Sequence, residues 1–166
     1  PDGAFSRGVV KVSNEEEYAS TVGSFFKKSA LLIAQEYLPT TFDWRIGILN
    51  GQVLFACKYF MAQHHWQIVR KTATGSHRFG KTETLPLDQV PPKALKVALQ
   101  TAKAIGNGLY GVDIKQSGDK FYVIEINDNP NLDAGFEDKI IKDELYLTVM
   151  RTFLERIRAN REKGSE

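Results

Sequence analysis

The chain mixes short apolar runs with segments whose apolar residues return every three or four positions, and the two patterns predict different elements. "GVVKV", residues 8–12, predicts a strand. Ser13 follows, with Glu16 three positions on, a capping box that satisfies free N–H groups at a helix start. The helix predicted there covers residues 14–28, with Tyr18, Val22 and Phe25 or Phe26 on one face. "ALLIAQEYL", residues 30–38, predicts a second strand that ends near Pro39. "FDWRIGIL" and "QVLFACKYF" then flank Asn50-Gly51, the dipeptide that suits a two-residue hairpin turn. Leu49 is expected opposite Gln52. An unbroken ladder from there puts Phe42, Trp44, Ile46 and Ile48 with Val53, Phe55, Cys57 and Tyr59 on one apolar face. Asp43 then stands across from Lys58 on the other face, with Arg45 diagonal to it.

Residues 70–81 are polar and basic and read as a loop or weak strand. Val90-Pro91-Pro92 leads into a helix over residues 93–105, ended by Gly106 and Gly108. A second hairpin follows around Gly118, and an amphipathic helix is predicted over residues 137–161. Its stripe from Ile140 to Ile157 reads as core or subunit contact, which leaves a homo-oligomer open. Hairpins with helices packed on one face predict an α+β fold.

The second hairpin carries acid where a purely structural one would carry Thr, Val or Tyr. A three-residue turn, Ser117 to Asp119, places Asp113 opposite Val123 and on the same face as Glu125 and Asn127. Tyr122, Ile124 and Ile126 are then expected to point into the core. Two carboxylates and an amide oxygen are hard ligands. Mg²⁺ takes one or two protein carboxylates and fills its octahedron with water and phosphate oxygens. The face therefore reads as half a site for a phosphorylated ligand, and the cations near Asp43 suit the other half.

Composition removes some alternatives. The 166 residues carry a formal charge of +2, which gives no whole-chain case for nucleic acid or membrane. No apolar run approaches the ~18 residues of a membrane span. The one cysteine, Cys57, cannot form an internal disulfide, so a reducing, cytoplasmic home is expected. Cys57 itself reads as a small buried hydrophobe. The chain opens "PDGAFSRGVVKV", without Met and inside a glycine-containing turn, and reads as a fragment.

"GLYGVDIKQSGDKFYVIEINDNPNLDAGFE" resembles the closing motif of the ATP-grasp superfamily, in the branch similar to the glutamate ligase RimK. The shared pattern is G-V-D, then E-x-N twelve and fourteen residues after the Asp, then a Pro-containing loop. "GAFSRGV" is similar to the Gly-rich loop over the ATP phosphates, "QEYL" to the segment that binds adenine through its backbone, and "DWR" to the D-I-R strand. Two departures stand out. No Arg-x-Asn occurs in residues 63–69, and Asn131 follows Pro130 where Gly is usual.

The resemblance implies an ATP-grasp fold, with residues 1–38 from the small subdomain and 39–166 forming the C-terminal one. It implies an ADP-forming carboxylate–amine ligase that works through an acyl phosphate and joins an amino acid such as glutamate to a peptide, protein or small amine. By the same resemblance Asp113, Glu125 and Asn127 hold Mg²⁺, or Mn²⁺ in its place. Gly3, Ser6, Gly8, Gln35, Glu36, Tyr37, Leu38, Asp43 and Lys58 bind ATP, and Arg45 and Lys58 are catalytic. Arg78, Asn129 and Asn131 meet substrate. The fragment alone is expected to be inactive. The alternative expectation is a catalytically silent nucleotide-binding or regulatory module.

Overall fold

The computed structural model describes residues 8–63, 65–71 and 76–163. Its centre is a five-stranded antiparallel sheet made of two hairpins and one added strand. The first hairpin is β1 (Phe42–Leu49) and β2 (Gln52–Phe60). A small ribbon follows, β3 (Val69–Lys71) paired with β4 (His77–Phe79), and then β5 (Thr82–Leu85) joins the sheet edge. The second hairpin is β6 (Leu109–Ser117) and β7 (Lys120–Asn127), and the strand order is β5-β2-β1-β6-β7. Helix α1 spans Glu15–Phe26, α2 Pro92–Ile105 and α3 Asp143–Lys163. The α+β expectation holds.

One face of the sheet forms the main core. Trp44, Ile46, Ile48, Ala56, Val112 and Ile114 pack there against Ala94, Ala98 and Ala102 of α2. Those alanines recur every four residues, so the helix presents a flat stripe and lies close to the strands. The start of α3 reaches the opposite face, where Leu145 is buried with Phe55 and Cys57. Met150, Leu154 and Ile157 of the same helix are exposed. No helix among the described residues is long and apolar enough to cross a membrane.

The first hairpin turns as expected. Asn50 and Gly51 both have positive φ, and Leu49 pairs with Gln52. The ladder is not unbroken, however. Ile48 pairs with Val53, but Gly47 pairs with Phe55, so Leu54 is a bulge. One extra residue moves everything beyond it to the other face. Phe55, Cys57 and Tyr59 leave the expected apolar face and join Arg45, while Lys58 moves opposite Trp44.

The second hairpin departs twice. Ser117 pairs with Lys120, so the turn has two residues, Gly118 and Asp119. A bulge at Ile124 then restores the phase: Ile114 pairs with Val123 but Asp113 with Glu125, and Gly111 with Asn127. The acids share a face despite the shorter turn. Of the three residues expected in the core, Ile126 packs there, while Tyr122 is exposed.

Residues 8–12 and 30–38 are not strands. Leu31 and Ile33 are exposed, and no strand among the described residues lies beside them to complete a ladder. Helix α1 caps one residue later than expected. Asn14 Oδ1 accepts from Glu17 N–H at 2.8 Å, and Glu17 reaches back to Ser13 N–H at 2.8 Å. Helix α3 starts at Asp143 rather than 137, after a run of turns that ends with Lys142 at positive φ.

Candidate active site

A row of side chains crosses the sheet on the face away from α2. In order it is Thr84 (β5), Cys57 (β2), Arg45 (β1), Asp113 (β6) and Glu125 (β7). Strand alternation adds Asp43, Tyr59 and Lys115 on one side of this row, and Gly47, Gly111 and Asn127 on the other.

Arg45 holds both oxygens of Asp113. Its Nε donates to Oδ1 and its Nη2 to Oδ2 at 2.8 Å. This is the bidentate geometry that a planar guanidinium makes best. Asp113 is only 8 % exposed. Burial raises its carboxyl to about 6; Arg45 opposes that rise, and Glu125 beside it adds to it. Asn127 Nδ2 donates to Glu125 Oε1 at 3.0 Å, which leaves the amide oxygen on the same face. Two neighbouring carboxylates, one cation short of neutrality, and an amide oxygen are a donor set that fits a small hard dication.

A second ion pair lies beside the first. Lys115 Nζ donates to Asp43 Oδ1 at 2.6 Å and to Thr40 Oγ1 at 2.8 Å, and Thr40 Oγ1 donates to Asp43 Oδ1 at 2.9 Å. Asp43 and Arg45 on β1 thus face Lys115 and Asp113 on β6, a checkerboard of alternating charge. The Thr40 contact also ties the chain two residues beyond the 35–38 segment to this face. Near that segment is an open cavity of about 600 Å³, lined by Tyr37, Met61, His65 and Trp66 among others.

Gly111 is required by close approach. A Cβ there would lie 2.8 Å from Pro130 Cβ and 3.0 Å from Arg45 Cδ. Gly111→Ala is expected to push both away and to cost about 1–3 kcal/mol, read by urea denaturation. Cys57 is fully buried, and burial pushes its thiol up to about 11. The native chain at mild alkaline pH is therefore expected to react with a disulfide reagent more than about a hundredfold slower than the denatured chain.

Several expectations need correcting, and some lie beyond the described residues. Asp43, Arg45, Asp113, Glu125 and Asn127 share one face. Lys58 does not: the Leu54 bulge puts it on the opposite face, with Nζ 5.0 Å from the Phe42 ring centroid and 5.2 Å from that of Trp44. It is not a phosphate or catalytic residue of the Arg45 face. Arg78 is on the β3–β4 ribbon opposite Arg70, outside the five-stranded sheet that carries the row. Gln35, Glu36 and Tyr37 are exposed, and Leu38 is half-buried. Asn129 and Asn131 are exposed in the loop after β7, where Asn131 Nδ2 donates to Asp133 Oδ2 at 3.0 Å. Gly8 is described and has positive φ. Gly3 and Ser6 lie outside the described residues.

Sequence reasoning missed Lys115, Tyr59 and Glu137. Lys115 was legible, since it stands two residues after Asp113 on the same strand. Tyr59 was hidden by the bulge. Glu137 had no local signal at all: it is 2 % exposed and accepts from Tyr59 Oη–H and, at 2.8 Å, from Asp133 N–H.

The fold and this charged row define an ATP-grasp domain. The RimK-like ATP-grasp family model matches residues 2–147, and the chain belongs to that family. A probable alpha-L-glutamate ligase of Marinomonas sp. (strain MWYL1) is 28% identical over 144 residues, 86% of this chain and 44% of the relative. A D-alanine–D-alanine ligase of Pediococcus pentosaceus is 29% identical over 131 residues, 78% of this chain and 37% of the relative. Among solved structures, the D-alanine–D-alanine ligase of Bacillus anthracis complexed with ATP superposes with a TM-score of 0.66 at 18% identity, over 94% of this chain and 53% of that one. The chain thus spans less than half the length of these curated relatives.

Proposed function

We propose that the chain is the nucleotide- and metal-binding part of an ATP-dependent carboxylate–amine ligase, acting on an amino acid such as glutamate and a peptide, protein or small amine. The observation that carries this reading is the row Arg45–Asp113–Glu125. It sets a buried guanidinium against two adjacent carboxylates on a sheet face that could have been closed with hydrophobes. In this reading residues 1–38 belong to the smaller ATP-grasp subdomain and 39–166 to the C-terminal one. The single, buried thiol suits a reducing cytoplasm.

Asp113, Glu125 and Asn127 would hold Mg²⁺, with Mn²⁺ able to replace it. The ion supplies charge neutralisation on the phosphate oxygens. Residues 35–38 would meet adenine through their backbone. Asp43, held in place by Lys115 and Thr40, would face the ribose. A substrate carboxylate oxygen attacks the γ-phosphorus and ADP leaves, giving an acyl phosphate. An amine nitrogen then attacks the acyl carbon, phosphate leaves, and the nitrogen gives up a proton. Arg45 would steady the transferring phosphoryl group, where positioning and charge do most of the work. Asn129 and Asn131 would face the acceptor.

The test uses the full-length protein with ATP, Mg²⁺ and a panel of amino acids, with hydroxylamine as trapping amine. Hydroxamate formation together with ADP release is the expected result. The second reading, a nucleotide-binding module without turnover, is favoured by the missing Arg-x-Asn in residues 63–69. ATP binding with no ADP release across the panel would establish it in place of the ligase.

A further inference from the structure

Glu137 occupies a costly position. A buried carboxylate stabilises a fold no better than a well-packed hydrophobe would. Yet both its oxygens are engaged, one by the Tyr59 hydroxyl and the other by Asp133 N–H. Tyr59 leads directly to the active row. Its ring lies against Arg45, with the guanidinium Cζ 5.3 Å from the ring centroid. Arg45 in turn grips Asp113 with two bonds. The same segment is fixed to the sheet at two further points. Thr84 Oγ1 donates to Phe136 C=O at 2.5 Å, and Leu145 packs on Phe55 and Cys57. The Asp133 bond closes the far end of the loop that carries Asn129 and Asn131. One carboxylate therefore connects the aromatic support of Arg45 to the loop after the acidic strand.

We propose that Glu137 and Tyr59 are positioning residues: Glu137 fixes the Tyr59 ring, the ring fixes the plane of the Arg45 guanidinium over Asp113, and the same carboxylate anchors the end of the Asn129–Asn131 loop. The functional weight of this device rests on the role proposed above for Arg45. The competing explanation is a brace for the turns at 132–142 with no effect on Arg45. Tyr146 supplies the control, because its hydroxyl also donates to a carboxylate of this segment, Asp138 Oδ2 at 3.1 Å.

The test is hydrogen exchange at Arg45 Nε–H by NMR on the whole chain, compared with the backbone amides of Ile46 and Val112. Tyr59→Leu removes the ring and is expected to speed Arg45 exchange about tenfold, the size of a partly desolvated cation–π contact. Tyr59→Phe breaks the bond, and Glu137→Gln removes its charge and leaves a neutral amide hydrogen bond in its place; both keep the shapes and are expected to speed it about threefold. The two backbone amides stay put in each case, and Tyr146→Phe leaves Arg45 unchanged. The proposal is overturned if Arg45 exchange only follows the backbone amides, or if Tyr146→Phe moves it as far as Glu137→Gln does. Should Tyr59→Leu fail to fold, the two conservative variants decide. No nucleotide enters the experiment. The expected exchange pattern in a protein that does not bind Mg²⁺–ATP would overturn the ligase reading alone. Binding with no Arg45 response would overturn the positioning alone.

Discussion

Glu125→Ala is expected to weaken Mg²⁺-dependent binding of a non-hydrolysable ATP analogue by at least about a hundredfold. Losing an outer-shell partner of a metal already costs roughly ten- to a hundredfold, and Glu125 is proposed as a direct ligand. It is also the cleaner of the two acid substitutions. Removing it leaves the Arg45–Asp113 pair intact, so the fold keeps its buried charges balanced. Asp113→Ala is expected to abolish the Mg²⁺ dependence as completely, but with a different remainder. It frees Arg45, a mostly buried cation, which then attracts phosphate without metal. Asn127→Ala removes a neutral donor and is expected to cost about tenfold. Calorimetric titration with and without Mg²⁺, on this chain and on the full-length protein, reads all three. An unchanged Mg²⁺ dependence in Glu125→Ala would remove that residue from the metal site and the ligase reading with it.

The outcome for these acids shows how far a strand pattern can be read. Asp113, Glu125 and Asn127 stand at even spacings within their strands, so their shared face needed only the phase between β6 and β7. The expected three-residue turn at Gly118 gave that phase, and the two-residue turn with a bulge at Ile124 gives it too. Two departures cancel. In the first hairpin a single departure does not. "VLFACKYF" is apolar at nearly every position, because β2 is covered on both faces, and a strand buried on both sides carries no alternation from which to detect a bulge. An unbroken ladder therefore places Lys58 beside Arg45 and Tyr59 on the Trp44 face, whereas the bulge exchanges the two. The apolar runs at 8–12 and 30–38 failed for another reason. β-propensity expresses packing against neighbouring strands, and among the described residues none lies beside them. Helix α2, whose Pro start, Gly stop and alanine stripe are all local, was predicted to within a residue of its first position.

Arg45→Ala is expected to destabilise the chain by about 3–5 kcal/mol, because it leaves the carboxylate of Asp113 buried without its cation. The effect carries a pH signature. In the intact chain burial, opposed by Arg45 and aided by Glu125, already raises Asp113 to about 6. That value lies above the usual unfolded carboxylate range, so the folded state binds the proton more tightly. Stability then falls as pH rises from roughly 4 to 6, the interval between the unfolded and folded values. Without Arg45 the main opposing influence is gone, the folded value climbs further, and the fall extends toward neutrality. The deficit of the variant is therefore largest at about pH 8 and shrinks by about pH 5, where the proton neutralises the buried group. Urea denaturation at the two pH values measures it. Arg45→Ala/Asp113→Ala should recover much of the loss at the higher pH, since the charge left stranded by the first change is removed by the second. A deficit equal at both pH values and unrelieved in the double variant would mean that Arg45 stabilises the sheet through its packing on Tyr59 and across Gly111, and not by neutralising Asp113.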